Sequence, residues 1–138
     1  MECLKCLECL KLRVTKVKYM ENKEFSKKLE TRTKAFAIRI IKLSATLPNT
    51  VEGKIVRNQL TKAGTSIGAN YREANRARSR ADFKNKIKIC ESEASETGYW
   101  LEISIDIKWS EANELESALN ESNELLAIFT SIGKNLNR

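Results

Sequence analysis

Residues 23–47, KEFSKKLETRTKAFAIRIIKLSATL, carry the pattern that decides the fold. Their apolar residues recur at spacings of four, seven, four, three and four, which is the spacing of one helix face. These residues are Phe25, Leu29, Phe36, Ile40, Leu43 and Leu47. Pro48 ends the run, because proline keeps the residue before it out of the helical conformation. The stretch is therefore predicted to form a long amphipathic helix.

Three further amphipathic stretches follow, separated by short joints. The second helix is predicted from Val51 to Arg78 or Ser79, the third over 81–108, and the fourth after the joint at 110–113. A single proline and five glycines in 138 residues agree with long helices. Short joints between long helices place successive helices antiparallel. The predicted fold class is all-α, an antiparallel up-down-up-down four-helix bundle.

The second helix has an unusual middle. Gly64 and Gly68 lie within five residues of each other, and glycine weakens an isolated helix. We expect a close approach of another helix or a local kink there, with a loop as the alternative. Its inner stripe is predicted to contain Ile55, Val56, Leu60, Ala63, Ile67, Ala74 and Ala77. Asn49 or Thr50 is expected to cap this helix, and Ser79 the third.

Residues 1–19 lie outside this pattern. They are predicted to be an N-terminal extension, disordered or a short helix, and 20–138 to be the bundle domain. Charged residues interrupt the apolar ones, so the segment lacks the core of a secretory signal. No run approaches the roughly 20 apolar residues that span a bilayer. We expect a cytoplasmic protein without a membrane partner.

The residue inventory disfavours catalysis. The chain has no histidine, which removes the usual general base near neutral pH and the commonest zinc ligand. Cys3 and Cys6 form a CxxC, but no second pair or histidine completes a zinc site. Cys90 is predicted to be a small buried apolar residue, and the cysteines to be reduced. We expect no catalytic residue, metal, cofactor or small-molecule substrate.

Charge is distributed unevenly along the chain, whose formal net charge is +7. Between Lys54 and Lys88 there are ten lysines and arginines against two acids, whereas from Cys90 onward there are ten acids against three bases. Such a local excess of positive charge attracts polyanions. Seven of the bases surround the joint between the second and third helices and are the candidate RNA- or DNA-binding residues: Arg72, Arg76, Arg78, Arg80, Lys84, Lys86 and Lys88.

Binding through phosphates would be nonspecific and sensitive to salt. No RNA-recognition, KH or helix-turn-helix signature supports the reading of bases. Two alternatives stay open: the bases could form an ordinary solvated face, or they could pair with the acidic final helix. If the pairing occurs between subunits, the charge asymmetry directs self-assembly or docking to a partner protein.

Several polar residues of the second and third helices lie at positions expected to face inward. A network joining them, with Arg57 as an opposite charge, is expected to fix the register of the bundle. The alternative is an acid–base or metal site built on the carboxylates. The predicted network residues are Arg57, Ser66, Asn70, Glu73 and Glu96.

The run from Arg57 to Ile103 closely resembles the four-helix bundle proteins encoded within intervening sequences of bacterial 23S ribosomal RNA. The most specific motifs are SIGANYREA at 66–74 and SEASETGYWLE at 92–102. Residues 22–48 are similar to the first helix of that family, and 126–136 fit its last. Ala74 departs mildly from the family pattern, in which glycine follows the glutamate.

The resemblance implies a left-handed bundle that assembles as a ring, expected to be a homopentamer, with a basic surface suited to nucleic acid. The same fold occurs in accessory proteins of diversity-generating retroelements, which partner a reverse transcriptase. The inward polar positions of the family match the predicted network. The resemblance carries no catalytic residue across to this chain.

Overall fold

Four α-helices form the protein in a computed structural model, which describes the backbone of residues 2–137 and the side chains of residues 22–137. The helices are α1 (Glu2–Ser44), α2 (Val51–Ala74), α3 (Arg80–Ile107) and α4 (Ala112–Leu136). No strand occurs among residues 2–137. The all-α class and the four-helix bundle are confirmed, whereas the left-handed twist stays a prediction.

The N-terminal segment continues the first helix along the backbone, because α1 begins at Glu2. The side chains of residues 1–21, including Cys3, Cys6 and Cys9, lie outside the described residues. The division of the chain at residue 20 stays a prediction. Between residues 22 and 137, no helix is both long and apolar enough to cross a membrane.

Side-chain caps begin the second and third helices where the sequence predicts them. The backbone N–H of Gly53 donates to Thr50 Oγ1 at 3.0 Å, and that of Asp82 donates to Ser79 Oγ at 3.0 Å. Such caps satisfy amide groups that have no partner within the helix. α2 ends at Ala74, four residues before the predicted Arg78. Backbone hydrogen bonds between residues three apart, from Arg76 to Glu73 and from Ala77 to Ala74, close its last turn.

Gly64 and Gly68, in the middle of α2, lie close to α1, as predicted. A Cβ atom on Gly64 would lie 2.7 Å from Ile40 Cγ2, and one on Gly68 would lie 3.1 Å from Thr33 Oγ1. Position 64 therefore has no room for a methyl group unless Ile40 shifts. The helix is continuous there, so the loop alternative is wrong. Residue numbers rise along α2 as they fall along α1, so the two helices run antiparallel.

The remaining helix pairs also run antiparallel. Cys90 Sγ lies 3.5 Å from the carbonyl oxygen of Ile67, and Lys86 pairs with Glu73 one turn further toward the joint between the two helices. Both pairs are nearly symmetric about residue 79, at the joint between α2 and α3. The hydrogen bonds that join α3 to α4 follow the same order, Arg80 with Leu136 and Ser122 with Ala94.

The core runs along the bundle axis and includes most of the predicted stripe residues. Tyr71 and Phe129 meet edge to face, with ring centroids 5.5 Å apart. Phe25 was predicted to be a core residue and is 50% exposed, because it lies beyond the level at which α2 ends. Ile55 is 55% exposed. Its neighbour Val56 takes the inward position, and adjacent helical residues point in directions about 100° apart.

Candidate nucleic-acid interface

The joint at residues 75–79 brings the seven predicted bases together at one end of the bundle. Arg72 lies in the last turn of α2, Arg76 and Arg78 lie in the joint, and the other four lie in the first turns of α3. All are exposed except Lys86, which is half-buried. We call these seven side chains the basic surface.

Two members of the basic surface are held by partners. Lys86 Nζ donates to Glu73 Oε2 at 2.8 Å. This hydrogen bond and the accompanying charge attraction raise the pKa of Lys86 and lower the pKa of Glu73. Arg80 Nη2 donates to the carbonyl oxygen of Leu136 at 2.9 Å, which ties the start of α3 to the end of α4. The positive charge of Lys86 is therefore balanced by Glu73, whereas the positive charge of Arg80 is not balanced by its neutral carbonyl partner.

The other five bases are exposed and form no ion pair with any described residue. The acidic final helix makes its ion pairs elsewhere. Arg32 on α1 donates to Glu121 at 2.8 Å through Nε and also pairs with Glu124. The hydrogen bond to Glu121 is the main reason that the pKa of Arg32 is raised. Within one chain, the described acids of α4 thus leave the basic surface exposed. The five exposed bases are Arg72, Arg76, Arg78, Lys84 and Lys88.

Two surface grooves extend the basic surface onto the sides of the bundle. The α1–α2 groove has a volume of about 410 Å³ and is lined by Lys34, Arg72 and Arg76 among others. The α3–α4 groove is smaller, about 180 Å³, and three of its lining residues are Lys84, Lys88 and Lys134.

The sequence interpretation missed Lys34 and Lys134, because both come from helices outside the contiguous basic stretch. The available signal was the antiparallel register, which places Lys34 near residue 70 and Lys134 near residue 83. The two lysines extend the positive lining to elements that lie far from the joint in sequence.

The predicted inward polar network does not form among the described residues. Ser66 Oγ donates to the carbonyl oxygen of Lys62, and Asn70 Nδ2 donates to that of Ser66 at 2.8 Å. Both side chains are half-buried and bond to their own helix. The core positions of this part of α2 are taken by Ile67 and Tyr71, so the polar residues fall at the edge of the buried face.

The charged members of the predicted network are also separate. Glu73 is exposed and pairs with Lys86, while Glu96 is exposed and accepts a hydrogen bond from Trp100 Nε1 at 3.3 Å. Arg57 makes only a long hydrogen bond, 3.4 Å, to a side-chain oxygen in the joint before α2. The carboxylates of Glu73 and Glu96 thus have different partners, and the inward network expected from their spacing was wrong.

Burial is the main cause of the pKa shifts of Glu93 and Cys90, which both lie on α3. Burial, followed by the charge of Glu96, raises the pKa of Glu93. Burial raises the pKa of Cys90 to about 12, and its thiol lies against the carbonyl oxygen of Ile67, as expected for a buried apolar residue. Between residues 22 and 137, no group of three or more histidine, cysteine or acidic residues could hold a metal ion.

Comparison with known proteins decides the family. The family model described as the 23S rRNA-intervening sequence protein matches residues 27–131. The chain belongs to this family. The resemblance seen in the motifs at 66–74 and 92–102 is thereby confirmed. No curated protein matches the chain.

A solved structure supports the assignment of this 23S rRNA-intervening sequence protein. It is the crystal structure of a protein of unknown function from the S23 ribosomal protein family of Bacteroides thetaiotaomicron VPI-5482. The two chains are 42% identical, and the match covers 76% of this chain and 97% of the other with a TM-score of 0.71. The similarity therefore extends over nearly the whole of that protein and over most of the bundle described above.

Proposed function

We propose that this member of the 23S rRNA-intervening sequence protein family is a non-enzymatic, oligomeric protein that binds RNA or DNA nonspecifically through phosphate groups. The observation that carries the proposal is the cluster of five exposed bases around the joint between α2 and α3, none of which pairs with an acid in the described part of the chain. Two helices and their joint contribute to it, so the positive side chains converge on one end of the bundle.

Phosphate contact is favoured over base recognition by the chemistry of this end of the bundle. Lysine and arginine neutralise phosphates and release counterions, which supplies most nonspecific affinity. Single-stranded nucleic acid is usually held with additional stacking on aromatic rings. Among residues 22–137, no aromatic side chain lines the α1–α2 groove or the α3–α4 groove. The proposed contact is therefore with the backbone, whatever the sequence.

The proposal of a non-enzymatic role has its own support. A general base near neutral pH needs a raised pKa, and the pKa of Glu73 is lowered by Lys86. Glu96 is exposed and bonded to the indole of Trp100. The proposal accordingly includes no cofactor and no small-molecule substrate, and it places the protein in the cytoplasm.

Charge reversal tests the proposal. The variant Arg76→Glu, Arg80→Glu, Lys84→Glu removes three exposed positive charges and adds three negative ones. Acidic residues in the first turn of a helix are favourable, so helicity should be preserved at position 80. At position 84, in the second turn, glutamate is as good a helix former as lysine. Retention of labelled RNA on a filter at low salt should fall by at least about tenfold, since several phosphate contacts are lost.

A matched variant separates a local effect from a change in net charge. Lys42→Glu, Lys54→Glu, Arg57→Glu makes the same charge change away from the joint between α2 and α3. It should retain markedly more RNA than the variant at the joint, and circular dichroism should show both variants to be helical. Equal retention by the joint variant and the wild-type protein would refute the proposal.

Assembly or docking to a partner protein, such as a reverse transcriptase, is a second candidate. Large apolar side chains that are exposed on the single chain favour it, because contiguous ones mark contact surfaces. Ile38 and Ile41, three residues apart on one face of α1, are 46% and 50% exposed. This candidate predicts that the joint variant changes the sedimentation coefficient while RNA retention stays unchanged. A homopentameric ring stays a prediction of the family resemblance.

A further inference from the structure

Gly133, near the end of α4, has no packing reason to be glycine. A Cβ atom there would meet no atom of the described residues within 4 Å, whereas one on Gly53 or Gly64 would collide with a neighbour. Glycine in a helix costs stability relative to alanine, and its usual uses include the close approach of a ligand to the backbone. The open space beside Gly133 is therefore available to something outside the chain.

The space beside Gly133 is the α3–α4 groove. Lys84 and Lys88, one turn apart, come from α3, and Lys134 comes from α4. Thr130 also lines the groove, and Glu91 is the one acid among the described lining residues. The groove thus combines three positive charges and a neutral hydrogen-bond donor around a backbone that no side chain covers.

We propose that the α3–α4 groove holds a phosphate of an RNA or DNA backbone, with Lys84, Lys88 and Lys134 around it and Gly133 at its floor. This inference rests on the proposed function and assigns it a position and a further residue, Lys134. The groove is small, about 180 Å³, and suits a single phosphate group of a chain.

The C-terminal end of α4 borders the groove and must also allow an anion to bind there. The last carbonyl groups of a helix carry partial negative charge, which repels phosphate. Arg80 donates to the carbonyl oxygen of Leu136 and so places a guanidinium at that end. Lys134 lies in the same last turn. These two cations oppose the unfavourable dipole, so the groove stays attractive to an anion.

A steric plug that leaves the charge unchanged tests the groove directly. Gly133→Gln fills the open space with a neutral, helix-compatible side chain, and Gly133→Ala is its control because a single methyl group leaves most of the space open. Binding of a short fluorescent oligouridylate and of an oligothymidylate is measured by anisotropy at about 50 mM salt. We expect the glutamine variant to bind both probes several-fold more weakly than the alanine variant.

A charge test gives a second, independent readout. Lys134→Gln should weaken binding about five- to tenfold at about 50 mM salt and lower the salt slope by about 0.7, the value of one single-strand phosphate contact. Lys54→Gln also removes one lysine charge, but near the start of α2, at the other end of the bundle from the groove. It should leave the salt slope unchanged. Thermal unfolding of each variant checks that the bundle persists.

The outcomes separate this inference from the proposed function. If the wild-type protein binds but Gly133→Gln matches Gly133→Ala and Lys134→Gln matches Lys54→Gln, the groove assignment is wrong and the proposed function stands. If the wild-type protein binds neither oligonucleotide at low salt, both proposals are wrong. Weakening by both the plug and the lysine variant supports the groove.

Discussion

The contact between Gly64 and Ile40 gives a sharp test of how closely α1 and α2 approach. In Gly64→Ala the new Cβ atom would lie 2.7 Å from Ile40 Cγ2 and 2.9 Å from Ile40 Cγ1. Overpacking of this kind costs about 1–3 kcal/mol. Replacing glycine by alanine within a helix returns about 1 kcal/mol. The free energy of unfolding should therefore fall by up to about 2 kcal/mol.

Gly133→Ala is the matched control, because the same substitution there meets no neighbouring atom. It should raise the free energy of unfolding by up to about 1 kcal/mol. Urea denaturation followed by circular dichroism measures both variants under one set of conditions. If Gly64→Ala stabilises the protein as much as Gly133→Ala does, the two helices are not in contact at residue 64 and the packing described above is wrong.

A double-mutant cycle isolates the cause. Ile40→Ala removes both of the Cγ atoms that the new methyl group would meet, and alone it should cost about 2–5 kcal/mol because it leaves a cavity. Combined with Gly64→Ala, the added methyl group partly fills that cavity. The two changes should then couple favourably by about 0.5–3 kcal/mol, the range for residues in contact. Strict additivity would contradict the proposed clash.

Three further predictions concern buried and paired groups. Ser44 Oγ is buried with no hydrogen-bond partner among the described residues, so Ser44→Ala should raise the free energy of unfolding by about 1 kcal/mol in urea denaturation; a loss would contradict this reading. The pKa of Cys90 is raised from 9.0 to about 12, so between these pH values the unfolded chain loses a proton that the native chain keeps, and stability should fall as pH rises; Cys90→Ala should weaken this pH dependence. Arg32→Gln removes the pairs with Glu121 and Glu124 and should lower the melting temperature by an amount equivalent to at most about 1 kcal/mol, with a smaller effect at high salt.

Periodicity and local chemistry explain why most of the fold could be predicted. The spacing of apolar residues in α1 reflects burial along one helix face, and this signal is strong over long stretches. Thr50 and Ser79 cap their helices because their hydroxyls meet amides three residues further on, a purely local relation. Gly64 and Gly68 predicted a close approach of another helix. Glycine lowers the stability of a helix, so two of them within one helix indicate that larger side chains would not fit there.

The features that the sequence did not predict depend on tertiary geometry. α2 ends at Ala74 in a tight last turn. The residues that follow have ordinary helix propensity, so the sequence alone could equally have predicted a longer helix. Ser66 and Asn70 lie one helical step from the buried face, so a small error in the direction of that face moved them from the core to its edge.

The candidate site was predicted only where it is contiguous in sequence. The bases between Arg72 and Lys88 could be found by counting charges, because a helix, a joint and a helix keep them together. Lys34 and Lys134 required knowledge of which helices pack side by side. The pairing of Arg32 with the acidic helix α4 joins residues about 90 positions apart, so no local pattern indicates it.

A salt titration of RNA binding tests most directly the claim that exposed bases hold a phosphate backbone. Each single-strand phosphate contact contributes about 0.7 to the slope of log affinity against log salt. If the five exposed bases that pair with no described residue all take part, they should contribute about −3.5 to the slope and Lys134 about −0.7 more, with sedimentation unchanged across the series. No binding at about 50 mM salt, or an affinity that does not change with salt, would contradict the account.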